Sequence, residues 1–256
     1  MSSKHLSSPP RVVFLTGAGL SADSGVPTFR GEDGLYNGIR AEEILSYSTM
    51  KRSPEVIHKF KDNMRVNMRD AQPNKAHEMI ARLGNEFGDR VVHLTQNIDP
   101  MMELLGYADT VHLHGFITRM RSIGNSKVVE DIGYTRYWEG DPSEAPARGF
   151  RFRCLRTGSL MRPDVVLFGE MAPEYAKLHG AMRRLRRQDT LVVIGTQGNV
   201  LPVQHYASMT PATKVLNNLH SSPDISEELF DHVFMDRAAV VADDIENVVR
   251  QRLEQE

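Results

Sequence analysis

Three groups of residues in this 256-residue chain have types and spacing that could do chemistry. The first follows the apolar run Val12–Thr16, which leads straight into Gly17-Ala18-Gly19-Leu20-Ser21-Ala22-Asp23-Ser24-Gly25. Glycines behind a strand let backbone N–H groups approach a phosphate pair at a helix start, or simply turn the chain tightly. A dehydrogenase built on such a loop also needs an acidic residue ending a second strand about 20 residues later. Here positions 29–36 read Phe-Arg-Gly-Glu-Asp-Gly-Leu-Tyr, a loop composition, which counts against that class. The second group is Gln96, Asn97 and Asp99, behind the run Val91–Thr95. At a strand's carboxyl end these side chains suit hydroxyl and amide groups of a ligand, or the capping of a turn. The third is His114, which ends the run 110–113 and precedes a glycine. An imidazole titrates near ~6.5, which suits removal of a hydroxyl proton at neutral pH. Among 10 histidines its position singles it out, with His112 on the same strand face as the second candidate.

Short β-branched runs at Val12–Thr16, Val91–Thr95, 110–113, 164–168 and Thr190–Ile194, with weaker ones at 214–216 and His232–Met235, have the composition of buried parallel strands. Helical faces lie between them: Ile57, Phe60, Met64 and Met68; Ala76, Met79, Ile80 and Leu83; Ile245, Val248, Val249 and Leu253. The alternation predicts an α/β fold with a doubly wound parallel sheet, whose ligands sit outside the carboxyl ends of the strands. The segment 122–160 breaks the rhythm, being rich in Gly, Pro, Arg and Glu, and it holds the only tryptophan, Trp138. The expected organisation is a disordered tail over 1–10, a Rossmann-like domain over 11–121 and 161–256, and a small inserted module over 122–160.

A charged fraction of 25% and a net charge of -2 exclude a disordered chain and a strongly basic nucleic-acid binder. The basic run 183–187 reads as a solvated helix face, so no nucleic-acid partner is expected. The lone Cys154 excludes intramolecular disulfides and an all-cysteine metal site. No run approaches the ~18 apolar residues of a membrane span, and residues 1–10 lack the apolar core of a signal peptide, so a cytoplasmic protein is expected. Oligomeric state is left open.

The stretch Gly17 to Gly31, GAGLSADSGVPTFRG, resembles the NAD-binding signature and cofactor loop of the sirtuin family. Further segments resemble that family in the same order: Pro73-Asn74 with Ala76-His77, Thr95-Gln96-Asn97-Ile98-Asp99, His114-Gly115, and Arg162-Pro163-Asp164-Val165-Val166 with Phe168-Gly169-Glu170. The resemblance implies a Rossmann-like NAD-binding core and a protein-lysine deacylase that yields nicotinamide and O-acyl-ADP-ribose. It implies cofactor contacts at Gly17, Ala18, Gly19, Asp23, Phe29, Arg30, Tyr36, Gln96, Asn97, Asp99, Gly195, Thr196 and Asn217, with His114 and Asn97 catalytic. Val166, Leu167, Phe168 and Gly169 would pair with an extended peptide carrying an acylated lysine. NAD hydrolysis or ADP-ribosyl transfer is the alternative, and a non-catalytic NAD sensor the third reading.

The chain departs from the family in several places. Where sirtuins carry two Cys-x-x-Cys pairs for a structural zinc, the matching positions are Ser122, Asn125, Cys154 and Thr157, so no zinc is expected. The module is then expected to pack around Tyr134, Tyr137 and Trp138. Met101 and Met102 replace a Leu-His pair, and Gln197 replaces a serine. Residues 53–73 contain no tyrosine, and hence no Tyr-x-x-Arg pair for acidic acyl groups, leaving Lys61, Arg65 and Arg69 as the basic groups there.

Overall fold

A strand in which every residue is apolar or small needs cover on both faces, and the computed structural model supplies it. It describes residues 9–27, 35–36, 39–135, 153–154 and 156–254. The expectations for the tail over 1–8 and for Phe29, Arg30, Tyr137 and Trp138 lie outside the described residues. In chain order the elements are β1 Val12–Thr16, β2 Leu35–Tyr36, β3 Ile39–Arg40, α1 Ala41–Ile44, α2 Tyr47–Arg52, α3 Pro54–Asn67, α4 Lys75–Phe87, β4 Val91–Thr95 and α5 Met101–Leu104. Then follow β5 Thr110–His112, β6 Gly115–Ser122, β7 Val129–Asp131, β8 Met161–Val165, α6 Tyr175–Arg183, β9 Thr190–Ile194, α7 Val203–Met209, β10 Thr213–Asn218, β11 His232–Met235 and α8 Ala242–Leu253.

Six strands form a parallel sheet in the order β11-β10-β9-β1-β4-β5, the doubly wound, Rossmann-like arrangement. β1 is central and pairs with β4 and β9 in aligned register, Thr16 opposite Thr95 and Ile194. Side chains alternate across it. Val12 and Phe14 pack with Val192 and Ile194 against Met79, Ile80 and Leu83 of α4 and Ile245 and Val249 of α8. Val13 and Leu15 pack on the other face with Leu178 and Met182 of α6 and Val203 and Tyr206 of α7. The expected faces of α4 and α8 are the buried ones.

Two expectations need correction. The run at 164–168 is not a strand of the parallel sheet. Its first residues end β8, which pairs antiparallel with β6 in a separate sheet of order β7-β6-β8. β-branched content marks a strand but not its partner, which here is β6, two strands earlier in the chain. The buried face of α3 is wider than expected: Ile57, Phe60, Met64 and Met68 pack in one cluster, Phe60 and Met64 half-buried, and His58, Lys61, Asp62 and Arg65 lie inside beside them. Arg65 binds Asp62 one turn back and the carbonyl of Thr135, so buried charge meets charge and a backbone acceptor.

The small antiparallel sheet is joined to the large one through α3 and a cluster of Ile57, Met68, Ile98, Met101, Ile117, Val165 and Leu167. Its outer end packs Met120 and Met161 on Cys154, with Val128 and Ile132 alongside. Tyr134 sits on the α3 side of the module.

Candidate active site

Because the parallel strands end together, the loops after β1, β4, β5, β9 and β10 converge on one side of the sheet. A cavity of about 960 Å³ opens there. It brings together Gly17, Ala18, Gly19, Asp23, Gln96, Asn97, Asp99, His114, Val166, Leu167, Phe168, Gly169, Gly195, Thr196 and Asn217. Of Tyr36, the structure describes the backbone, paired with Ile39 in the β2–β3 ribbon.

The glycine loops after β1 and β9 touch. Gly19 N–H donates to Gly195 O at 2.9 Å, and Gly17 N–H to Ile194 O at 2.9 Å. Gly195 takes φ +65°, and a Cβ there would lie 2.5 Å from both Gly19 Cα and Leu20 N. Only glycine permits both that backbone and that approach. The loop after β1 continues as short 3-10 turns, Ala18–Leu20 and Ala22–Ser24.

Ser21, fully buried, organises the polar floor of the cavity. Asn74 caps α4, accepting from Ala76 N–H at 2.9 Å, while its own N–H donates to His77 Nδ1 at 3.2 Å. That leaves the His77 proton on Nε2, which donates to Ser21 Oγ at 3.2 Å. Asn97 Nδ2 donates to the same oxygen at 3.0 Å and to Gly17 O at 3.0 Å. With both acceptor positions filled, the Ser21 hydroxyl donates to Asp99 Oδ2 at 2.9 Å. Burial pushes the Asp99 carboxyl up from its ordinary value, against the lowering effect of the Ser21 and Met101 bonds. Burial lowers His77 to about 4, so its ring is neutral.

The two histidine candidates separate on geometry. His112 Nδ1–H donates to Asn97 O at 2.9 Å, and Nε2 faces Glu103 Oε1 at 3.0 Å, so both nitrogens are occupied away from the cavity. His114 lines the cavity. Its Nδ1–H donates to Gln96 O at 3.0 Å, which fixes the tautomer and leaves the Nε2 lone pair as the basic atom. That lone pair accepts from the Tyr175 hydroxyl at 2.9 Å. Burial lowers the His114 imidazole below its ordinary value, the Gln96 bond opposes this, and Lys61 lowers it further. Gln96 Nε2 donates to Thr196 Oγ1 at 3.1 Å, tying the loop after β4 to the loop after β9.

Both amide hydrogens of Asn217 are held, by Phe234 O at 3.0 Å and Asp236 O at 2.8 Å, which leaves Oδ1 for a ligand. Asp23 stands 3.7 Å from Arg237 across the mouth. In the segment after β8, Val166 N–H donates to His114 O at 2.8 Å and Leu167 N–H to Glu170 Oε2 at 2.9 Å. Phe168 pairs through both its N–H and its C=O with Leu45 and Tyr47, as a parallel bridge to Ser46. The segment is thus paired on the side facing 45–47, and the Phe168 ring is 43% exposed.

Sequence reasoning missed Ser21, Asn74 and His77 as the support of Asn97 and Asp99, although the Pro73-Asn74-x-Ala76-His77 spacing fits an N-cap and its third helical residue. It missed Tyr175, for which no motif exists. Lys61, noted only as a basic group, is buried in the cavity wall beside Met64 and Met68, and burial lowers its amine to about 7.

The Sir2 family model matches residues 17–202. The NAD-dependent protein deacylase of Campylobacter jejuni subsp. jejuni serotype O:2 is 32% identical over 243 residues, covering 93% of this chain and 97% of that protein. NAD-dependent protein deacylase 1 of Archaeoglobus fulgidus is 39% identical over 201 residues, 78% of this chain and 76% of that protein. Among solved structures, a crystal structure of a Sir2 homologue–NAD complex superposes with a TM-score of 0.77 at 31% identity, covering 96% of this chain and 91% of that one.

Proposed function

This chain belongs to the Sir2 family, and from that premise we propose how it works as an NAD-dependent protein-lysine deacylase. The activity uses NAD as co-substrate, which supplies an electrophilic anomeric carbon: its bond to nicotinamide breaks as a bond to the acyl oxygen of an acylated lysine forms. The chain's own residues do the rest. Gly17, Gly19 and Gly195 use their N–H groups to hold the two loops together, and the side-chain-free surface they leave, with Thr196, lies against the pyrophosphate. Asn97 and Asp99, held through Ser21, face the nicotinamide amide. His114 is the base that answers the loss of a proton from a ribose hydroxyl, so that the ribose oxygen can attack. Val166 to Gly169 and the exposed Phe168 ring border the path of the peptide. The observation that carries this assignment is the lone pair of His114, fixed in tautomer by Gln96 O and turned into the cavity that the glycine loops line.

Sir2 relatives imply a structural zinc, and the residues here do not fit one. Ser122 Oγ accepts from Asn125 N–H at 3.2 Å, Asn125 Oδ1 from Lys127 N–H at 3.1 Å, and Thr157 Oγ1 donates to Ser159 Oγ at 3.0 Å. Cys154 is buried among methionines. These are turn and core roles, so the module folds without metal in our reading, and metal analysis of purified protein should find well under one zinc per chain. A stoichiometric zinc would overturn it. No helix among the described residues is long and apolar enough to cross a membrane. A cytoplasmic location and a partner in the form of an acylated protein complete the proposal.

The direct test is mass spectrometry of an acetyl-lysine peptide incubated with NAD and this protein, beside His114→Ala. Loss of acetyl with formation of O-acetyl-ADP-ribose, abolished in the variant, is the expected result. His114-dependent NAD loss without deacylation would move the activity to hydrolysis or ADP-ribosyl transfer.

A further inference from the structure

The basic lone pair of His114 is already engaged. Tyr175 Oη lies 2.9 Å from Nε2, and both residues line the cavity. Because Gln96 O can only accept, Nδ1 carries the ring proton and the phenol must donate to Nε2. Burial raises the Tyr175 phenol above its ordinary value, so its O–H persists across neutral pH. The ring is held from behind. Tyr175 is the first residue of α6, its N–H donates to Ala172 O at 3.2 Å, and its edge meets His179 with centroids 6.3 Å apart. His179 in turn bonds the Tyr206 hydroxyl at 3.2 Å. A tyrosine anchored in this way is a fixed part of the wall.

We propose that Tyr175 is a catalytic residue that relays the proton from the ribose hydroxyl to His114. The ribose O–H gives its proton to Tyr175 Oη while the Tyr175 proton passes to His114 Nε2. The tyrosine ends unchanged, the histidine becomes an imidazolium, and the ribose oxygen becomes the nucleophile. This inference rests on the reading of His114 as the base.

The test is Tyr175→Phe, which keeps the ring and its packing and removes only the hydroxyl. Two readouts are taken beside the parent and His114→Ala. The first, on protein alone, is 15N NMR of histidine-labelled material: the Nε2 signal of neutral His114 should lose its hydrogen-bond shift in the variant. The second separates the steps with an acetyl-lysine peptide and NAD. Exchange of isotope-labelled nicotinamide, which precedes the proton transfer, should be unchanged, while O-acetyl-ADP-ribose formation falls ~100-fold. An unshifted Nε2 signal, unimpaired product formation, or an equal loss of both steps would overturn the relay while leaving the base in place. Absence of any His114-dependent turnover in the parent would instead overturn the deacylase assignment, and the relay with it.

Discussion

Alanine at Gly195 tests whether the two glycine loops must touch. At φ +65° a Cβ costs about 1–2 kcal/mol in left-handed backbone. It would also lie 2.5 Å from Gly19 Cα and Leu20 N, backbone atoms that cannot rotate aside, where ordinary contact begins at 3.4 Å. Parting the loops by the difference adds the usual cost of overpacking, about 1–3 kcal/mol. The sum, about 2–5 kcal/mol, lowers Tm by roughly 5–15 °C in a domain of this size. The same displacement breaks the 2.9 Å bond from Gly19 N–H to Gly195 O and moves the backbone proposed to face the pyrophosphate. An ångström of misplacement in such a site costs about 100-fold in rate. Gly195→Ala should therefore lose about that factor in kcat/KM for NAD, mostly through KM, with the KM for peptide unchanged. Circular dichroism melts and steady-state nicotinamide release measure both effects. A variant that melts with the parent and keeps its KM for NAD would refute the close-approach argument.

Three further outcomes are expected. Burial holds His58 and His93 down to about 3 and His77 to about 4, so the unfolded chain, with ordinary histidines near 6.5, binds protons that the folded one refuses. Stability is then complete above pH 6.5 and falls as pH drops towards about 4, by about 1.4 kcal/mol per pH unit for each group. Urea titrations from pH 7.5 to 5 should show that slope, reduced in His93→Gln, which keeps bonding groups between the hydroxyls of Thr16 and Thr110; a flat profile would contradict the buried neutral assignments. Ser21→Ala leaves Asp99 Oδ2 and the His77 ring N–H without a partner, which should cost about 2–4 kcal/mol and lower kcat/KM, read from a denaturant melt and nicotinamide release. Met161→Ala opens the module's sulfur-rich core and should cost about 2–5 kcal/mol, whereas a chelator should leave the parent's melt in place.

Much of the candidate site was legible because strand ends and glycines are local signals. The runs Val12–Thr16, Val91–Thr95 and Thr190–Ile194 are strands of the parallel sheet, and the polar residues directly behind them share one cavity. What escaped depends on partners distant in the chain. The polar part of the α3 face was missed because hydrophobicity alone chose its apolar residues, while Arg65 lies inside where it meets Asp62 and a carbonyl 70 residues away. The run at 164–168 carries the β-branched signal of a sheet strand without stating which sheet. Tyr175 reaches His114 from a helix 61 residues on, through one hydroxyl that no pattern of spacing encodes.

The residue pair that opens the small sheet is also the one beside His114. Gly115, at φ +89°, pairs with Val165, where a Cβ would lie 2.1 Å from the Asp164 carbonyl, and the next bond runs from Val166 N–H to His114 O. The small sheet is therefore tied to the large one at the histidine's own peptide as well as through α3 and its cluster. The turns around 123–128 and 156–158 lie at the other ends of β6 and β8, so the two strands themselves connect the module's outer end to the backbone of His114.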